Sequence, residues 1–486
     1  LSRPAPGLTP TPYPPYKKSF WLIFLKPPQR KLSRPMKLKT IGMISLGCSK
    51  NLADSEVMAG FLLKSGYTLA PTPDQADVIL INTCAFIESA RAEGAENILA
   101  ACAHKASGHC KAVLVAGCMA QRYREQMLEA FPDVDAFLGV DELNHLPDIL
   151  RTLEKKHTGP LLRVADGLPT HTFDKPVEAL RLSGQVFAYV KIAEGCDHAC
   201  AFCAIPQFRG HLRSRPMEAI LSEVKALLET GAKEINLIAQ DVTAYGRDLH
   251  NGTSLAKLLQ EIDKLDGVFW VRWLYGFHNH VSDELLDTMA RAHHILPYFD
   301  LPIQHCSPKI LRAMRRADTI QAINTFPSRL RTAVPTATLR TTCMVGFPGE
   351  TEADFQALLT YIEQVRFDHL GAFIFSPEEN THAANLPDLP PPEVAQRRLN
   401  DLMLLQRRIA HERNRDRVGE VVSALVLERN KDGSAIVRLP HQGPEVDGIT
   451  RIAHTGEDIH PGTFISVKIT GTRGYNLTAK VIPIHD

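Results

Sequence analysis

Three times in the first third of the chain, a short apolar run ends at a cysteine. Residues 41–46 lead to Gly47-Cys48, residues 78–81 to Asn82-Thr83-Cys84, and residues 112–116 to Gly117-Cys118. Apolar runs this short, bounded by turn residues, read as buried strands. Each is followed by a stretch of helical character, at 54–64, 88–101 and 122–130. Parallel neighbours need a crossover, so repeated strand and helix units fold as a parallel sheet with helices packed on its faces. The pattern predicts a small doubly wound α/β domain over 38–145.

The alternation resumes after a weakly patterned stretch, 146–185, which Gly159-Pro160, Gly167 and Pro169 mark as a linker. Candidate strands follow at 187–192, 234–238, 270–274, 298–301, 338–344 and 369–375. Helical segments at 217–229, 255–265, 283–292, 309–314 and 352–365 separate them. Six such units are too few for an eight-stranded barrel and suit an open, partial (β/α)6 barrel within 186–416. Leu399, Leu402, Leu405 and Ile409 recur at helical spacing and predict one amphipathic helix over about 393–414. From Val418 the character changes to short alternating strands with Gly turns, at 421–427, 435–439, 464–470 and 477–482. This predicts a small antiparallel β-barrel over 417–486.

Composition narrows the class without naming a partner. Apolar residues at 44% and charged residues at 22% exclude a largely disordered or collagen-like chain. The 486 residues carry 55 basic and 54 acidic side chains, a formal charge of +1. That balance is a sum over unlike parts. Residues 1–37 hold eight basic side chains and no acidic one, leaving 47 basic against 54 acidic in the rest, a net of −7. This Pro-rich start reads as a disordered tail or an over-extended beginning, with Met36 a candidate true start; a basic nucleic-acid arm is the functional alternative. Its one apolar run, Phe20 to Leu25, is too short for a membrane span or a signal-peptide core.

Ten cysteines are too sparse for a disulfide scaffold and fit a reducing compartment, hence a cytoplasmic protein, and metal binding. The strongest local signal is Gly195-Cys196-Asp197-His198-Ala199-Cys200-Ala201-Phe202-Cys203. Three thiolates on one tight loop after a strand can grip one metal centre. Soft sulfur ligands select Fe–S clusters, zinc or copper. Structural zinc wants four ligands, and no fourth cysteine lies near, though His198 could serve. Three cysteines on a 4Fe-4S cluster instead leave one iron open to a small ligand.

Cys48, Cys84 and Cys118 lie 36 and 34 residues apart, which no local metal motif predicts. Each nevertheless ends a predicted strand, and parallel strands of one sheet bring their C-terminal ends to one edge. A second metal site and three buried core thiols both fit that convergence. Among the other cysteines, Cys102 and Cys110 read as packing or surface thiols and Cys306 and Cys343 as core. His278 and His280 flank Asn279 after a strand, where a ligand pair and a polar loop are both open readings.

The Cys-x3-Cys-x2-Cys loop after a first barrel strand resembles that of the radical S-adenosylmethionine (SAM) enzymes. With both cysteine sets placed, the order of domains over residues 38–486 resembles the methylthiotransferases of that superfamily. Matching stretches include Asn82-Thr83-Cys84, Gly117-Cys118-Met119-Ala120-Gln121-Arg122, Leu301-Pro302-Ile303-Gln304-His305 and Gly346-Phe347-Pro348-Gly349-Glu350-Thr351. The resemblance implies an N-terminal domain with an auxiliary 4Fe-4S cluster on Cys48, Cys84 and Cys118, which delivers sulfur. It implies a radical SAM barrel with a second 4Fe-4S cluster on Cys196, Cys200 and Cys203, and a terminal TRAM β-barrel. Splitting of SAM at the barrel cluster would give a 5′-deoxyadenosyl radical. Phe202, Gln240, Gly346 and Glu350 would line the cofactor, and Lys50 and Asn51 would shape the sulfur site or cap the next helix. An electron donor such as flavodoxin is implied as a partner.

Two branches of that family are separable by motif. Cys48-Ser49-Lys50-Asn51 resembles the branch that modifies an aspartate β-carbon on the twelfth protein of the small ribosomal subunit, free or in the assembled subunit, as does Glu445-Val446-Asp447-Gly448. The chain departs from that branch at Ser49, where Pro is usual, and at Gly276-Phe277-His278-Asn279-His280, where a Tyr-Pro-containing loop is usual. The other branch modifies adenosine in tRNA, and a non-catalytic Fe–S protein binding RNA or ribosomes is a third reading. Residues 417–486 carry eight basic and eight acidic side chains. A nucleic-acid-binding barrel should be distinctly positive, so this neutrality disfavours tRNA and suits a basic protein substrate.

Overall fold

Strands β1 (Thr40–Ser45), β2 (Thr68–Leu69), β3 (Val78–Thr83), β4 (Ala112–Gly117), β5 (Ala136–Leu138) and β6 (Leu161–Arg163) form one sheet in the order β2-β1-β3-β4-β5-β6. Every neighbouring pair is parallel. The structure is a computed structural model that describes residues 37–155, 159–175, 181–182, 184, 186–316, 319–454 and 459–482. The expectations for the basic segment up to residue 36 lie outside the described residues. β3 and β4 are buried at every position, as a sheet covered on both faces requires. Leu80 and Leu114 pack with Met58 and Leu150 on one face, while Ile79 and Val113 pack with Ile98 and Met119 on the other. This is the doubly wound arrangement, and its strand order reverses direction between β1 and β3.

Two expectations for this region need correction. Six strands replace the three read from apolar runs, because β2, β5 and β6 are only two or three residues long. The stretch 146–185 is not a bare linker: it opens with the helix Leu146–Glu154, and β6 pairs with β5. The Gly159-Pro160 break stands immediately before β6 and is a turn inside the N-terminal layer.

The second α/β series begins at β7 (Phe187–Lys191), followed by a short antiparallel pair, β8 (Ala193–Glu194) and β9 (Arg213–Ser214). Then come β10 (Glu234–Ile238), β11 (Trp270–Leu274), β12 (Tyr298–Asp300), β13 (Thr338–Val345) and β14 (His369–Ile374). β7, β10 and β11 pair in parallel, as do β12, β13 and β14. The Val271–Ile295 bridge joins the two halves. All six expected barrel strands are present. Helices between them cover the outer face, and the long helix Pro392–Asp416 closes the series with Leu402 and Ile409 in the barrel core.

The C-terminal strands β15 (Val421–Arg429), β16 (Ala435–Arg438), β17 (Thr450–Ile452), β18 (Phe464–Arg473) and β19 (Asn476–Val481) form a closed barrel, ordered β15-β16-β17-β19-β18. Four of its pairs are antiparallel, but β17 and β19 run parallel. A ring with an odd number of strands cannot alternate direction all the way round, and the expected antiparallel barrel omitted the three-residue β17. The 439–449 loop of this domain reaches the (β/α) barrel. Arg272 Nη1 donates to Pro440 O at 3.0 Å, Tyr189 Oη to Glu445 Oε2 at 2.9 Å, and His369 Nε2 lies 2.7 Å from His441 O.

Candidate functional site

The loop after β8 carries Cys196, Cys200 and Cys203. Gly195 starts it at φ +76°, where a side chain would overlap the His211 carbonyl. Backbone bonds shape the loop: Cys196 N donates to Gly210 O and Cys203 N to Cys200 O, both at 3.1 Å. All three thiols are half-buried, and Arg316 Nη1 stands 3.6 Å from Cys200 Sγ. Burial pushes Cys196 and Cys203 up to about 12, with the neighbouring thiols adding to the rise. Without metal these sulfurs hold their protons; a metal that binds them must release those protons. Phe202 is buried against Ile310, Met314, Phe347 and Phe375, so its ring forms part of the wall behind the loop.

The second trio gathers at one edge of the N-terminal sheet. Cys48 follows β1 as the residue before the helix Ser49–Lys64, Cys84 follows β3, and Cys118 opens the helix after β4. The first two straddle the point where the strand order reverses, where doubly wound sheets open a crevice. Gly47, at φ +91°, lies so close to Cys84 that an added Cβ would stand 2.6 Å from Cys84 Cβ and 3.1 Å from its Sγ. Asn51 ties the edge together, with Nδ2 donating to Leu46 O at 3.0 Å and Thr83 O at 2.9 Å while Oδ1 lies 3.6 Å from Cys118 Sγ. Burial pushes Cys84 up to about 12, and the charges of Cys118 and Cys48 push in the same direction. Three mutually coupled sulfurs with no carboxylate among them are a soft donor set. It fits an Fe–S cluster with an open position better than a hard cation.

A buried polar network joins the two cysteine sites. Arg209, in the short helix after Cys203, donates from Nε and Nη2 to Cys118 Sγ at 3.3 and 3.1 Å. Its Nη1 donates to Asp54 Oδ2 at 2.9 Å and to Glu194 Oε1 at 3.1 Å. Lys191, the last residue of β7, pairs with the same two carboxylates. Gln240 Nε2 donates to Glu194 Oε2 at 3.1 Å, while its Oε1 is buried with no hydrogen-bond partner. That orphaned oxygen at the end of β10 is a free acceptor of the kind a cofactor amine or hydroxyl would satisfy. Ser49 Oγ lies 3.2 Å from Tyr275 Oη, and Lys50 Nζ stands 3.1 Å above the Tyr275 ring, joining the segment after Cys48 to the barrel rim.

The expected histidine pair separates. His280 Nδ1 lies 3.0 Å from Asp241 Oδ2 and His198 Nε2 lies 2.7 Å from the same oxygen, both in the rim beside the cysteine loop. His278 turns into the barrel core against Phe326, where burial and then the Arg316 charge push it down to about 3.

Gly346 follows β13 at φ +72°. Glu350 sits behind that loop: its Oε2 accepts from Gly346 N and, at 3.1 Å, from Arg398 Nη1, and its Oε1 lies 3.4 Å from His305 Nε2. The Glu350 carboxylate is fully buried in these contacts. Glu350, expected to line the cofactor, holds the Gly346 loop from the rear. Arg209, Asp54, Glu194, Lys191 and Arg316 were not singled out from the sequence. The signal available was Glu194 and Lys191 bracketing the entry to Gly195-Cys196, two charges at the end of a buried strand.

Comparison with known proteins divides the chain in the same way. Family models match over residues 40–139 (Uncharacterized protein family UPF0004), 190–362 (Radical SAM superfamily) and 418–482 (TRAM domain). A ribosomal protein uS12 methylthiotransferase RimO from Desulfitobacterium hafniense (strain Y51) is 40% identical over 444 residues, 91% of this chain and 99% of that protein. The protein of the same name from Syntrophotalea carbinolica is 40% identical over 94% of this chain and 100% of its own length. Among solved structures, the radical SAM methyltransferase TsrM from Kitasatospora setae superposes with a TM-score of 0.52 at 13% identity, covering 72% of this chain and 77% of TsrM; the likeness is one of fold.

Proposed function

Because the chain belongs to the family of ribosomal protein uS12 methylthiotransferases, RimO, we propose which of its residues carry that reaction. It is a radical SAM enzyme that transfers a methylthio group to uS12. Two 4Fe-4S clusters and SAM are its cofactors. When bound, they supply an electron, a carbon-centred radical and activated sulfur, which no ordinary side-chain acid or base can provide at an unactivated C–H bond.

The observation that carries the residue assignment is the convergence of two separate cysteine trios joined by the Arg209, Asp54 and Glu194 network. Cys196, Cys200 and Cys203 hold the cluster that meets SAM. Cys48, Cys84 and Cys118 hold the auxiliary cluster that presents sulfur, with Asn51 fixing the edge they share. Gln240 Oε1 offers the free acceptor, Phe202 backs the cysteine loop, and Gly346 brings bare backbone to the cofactor while Glu350 pins that turn. The barrel wall excludes water from the reacting carbon, the β-carbon of an aspartate of uS12.

The neutral terminal barrel favours a basic protein over tRNA. A flavodoxin-like carrier is the proposed electron donor. Among the described residues no helix is long and apolar enough to cross a membrane, and we place the enzyme in the cytoplasm with its ribosomal substrate.

Anaerobically reduced, cluster-reconstituted protein incubated with SAM should add the mass of one methylthio group to uS12. Addition to tRNA instead would establish the tRNA reading, and failure to cleave SAM would favour the non-catalytic one. Replacing Cys196, Cys200 and Cys203 by Ala should abolish SAM cleavage, whereas Cys48→Ala should leave cleavage and stop sulfur insertion.

A further inference from the structure

Arg209 belongs by sequence to the loop of one cysteine trio and by contact to the other. It ends the helix Ile205–Arg209 that follows Cys203, yet its guanidinium turns away to meet Cys118 with two N–H groups. The residue is only 3% exposed, and Nη2 also donates to Asn51 Oδ1 at 2.9 Å. Asp54 and Glu194 hold Nη1 from the opposite side. Lys191 shares those carboxylates, so the buried quartet of two cations and two anions is neutral before any thiolate is counted. The planar fork of Arg209 is thereby fixed against one sulfur, a geometry that a lysine ammonium cannot reproduce.

A tie between the two domains would require only the bond to Asp54, since Glu194 belongs to the same domain as Arg209. The pair of N–H groups on Cys118 Sγ serves a different purpose. Hydrogen bonds to ligand sulfur, and positive charge beside it, stabilise the more negative redox state of an Fe–S cluster and so raise its reduction potential. We propose that Arg209 is a positioning residue that sets the reduction potential of the auxiliary centre on Cys48, Cys84 and Cys118. This rests on the assignment of those three cysteines as ligands.

The test uses the full chain with Cys196, Cys200 and Cys203 replaced by Ala, so that only the auxiliary centre is loaded. Iron content is measured first, and the midpoint potential is then followed by electron paramagnetic resonance during titration with dithionite. In this background Arg209→Gln should retain about four irons per chain. Its reduction equilibrium should become less favourable by about tenfold, the scale of one charge-assisted hydrogen bond, or about 60 mV for a one-electron couple. Arg209→Lys keeps the charge but loses the fork, and should shift the potential in the same direction by less. Should Arg209→Gln fail to load iron, Arg209→Lys decides. Loaded variants with an unchanged midpoint would overturn the role of Arg209 and leave the ligand set standing. Absence of any cluster from the parent with Arg209 intact would instead overturn the ligand set, and the Arg209 proposal with it.

Discussion

The Tyr298 hydroxyl donates to Asp447 Oδ2 at 2.6 Å, so a buried strand residue of the (β/α) barrel is bonded to a loop of the terminal β-barrel. Gly443 N donates to the same carboxylate oxygen at 2.6 Å, and His369 Nδ1 stands 3.3 Å from Oδ1. Glu445-Val446-Asp447-Gly448 therefore serves at least one structural purpose, docking the two barrels. Tyr298→Phe removes one donor from a buried carboxylate and should cost about 1–3 kcal/mol. A lower urea midpoint with unchanged iron content is expected; an unchanged midpoint would show that this bond does not hold the loop.

Gly47 should not tolerate a side chain. At φ +91°, with Cys84 Cβ 2.6 Å from where its own Cβ would lie, Gly47→Ala is strained and pushes directly on a proposed ligand. The expected outcome is loss of about four of eight irons per chain, with SAM cleavage at the other cluster retained. Full iron loading of this variant would count against the placement of Cys84 in the auxiliary site.

Glu350→Gln tests whether the Gly346 turn is held from behind. The substitution preserves volume but turns an amide N–H₂ towards donors at Gly346 N and Arg398 Nη1. Equilibrium binding of SAM should weaken by about tenfold, with iron content unchanged, because a charge-assisted bond on this scale is lost. Unaltered affinity would remove Glu350 from the cofactor's support.

His278 makes stability depend on pH in a defined direction. Burial first, and the Arg316 charge second, push its imidazole down to about 3. The unfolded chain binds a proton near the ordinary histidine value of about 6.5, which the folded chain refuses. Stability from this site is therefore complete above about pH 6.5 and declines as pH falls towards 3, by up to about 1.4 kcal/mol per pH unit. His278→Gln should flatten that slope in urea unfolding measured between pH 7 and 5; an identical slope would place the proton uptake elsewhere.

Much of the architecture was legible because apolar periodicity reports strand burial directly. All six strands of the (β/α) barrel and the long helix with Leu402 and Ile409 in the core appear where the pattern placed them. The strands missed in the other domains, β2, β5, β6 and β17, have two or three residues, too few to establish a period. Their existence depends on neighbours that supply hydrogen-bond partners, and those neighbours are distant in sequence.

The site divides in the same way. By itself the sequence determined that three thiols at 196, 200 and 203 lie close together, because spacings of four and three residues keep side chains within reach of one another. It also determined that Cys48, Cys84 and Cys118 meet, because parallel strands end at one edge. Only the tertiary structure decided what surrounds those sulfurs. The fork of Arg209 on Cys118 spans 91 positions, its bond to Asp54 spans 155, and the bond of Arg398 to Glu350 spans 48. Local spacing constrains atoms only a few bonds apart; the direction of a buried charged side chain is set by whichever opposite charge the fold brings within reach, and that is a property of packing.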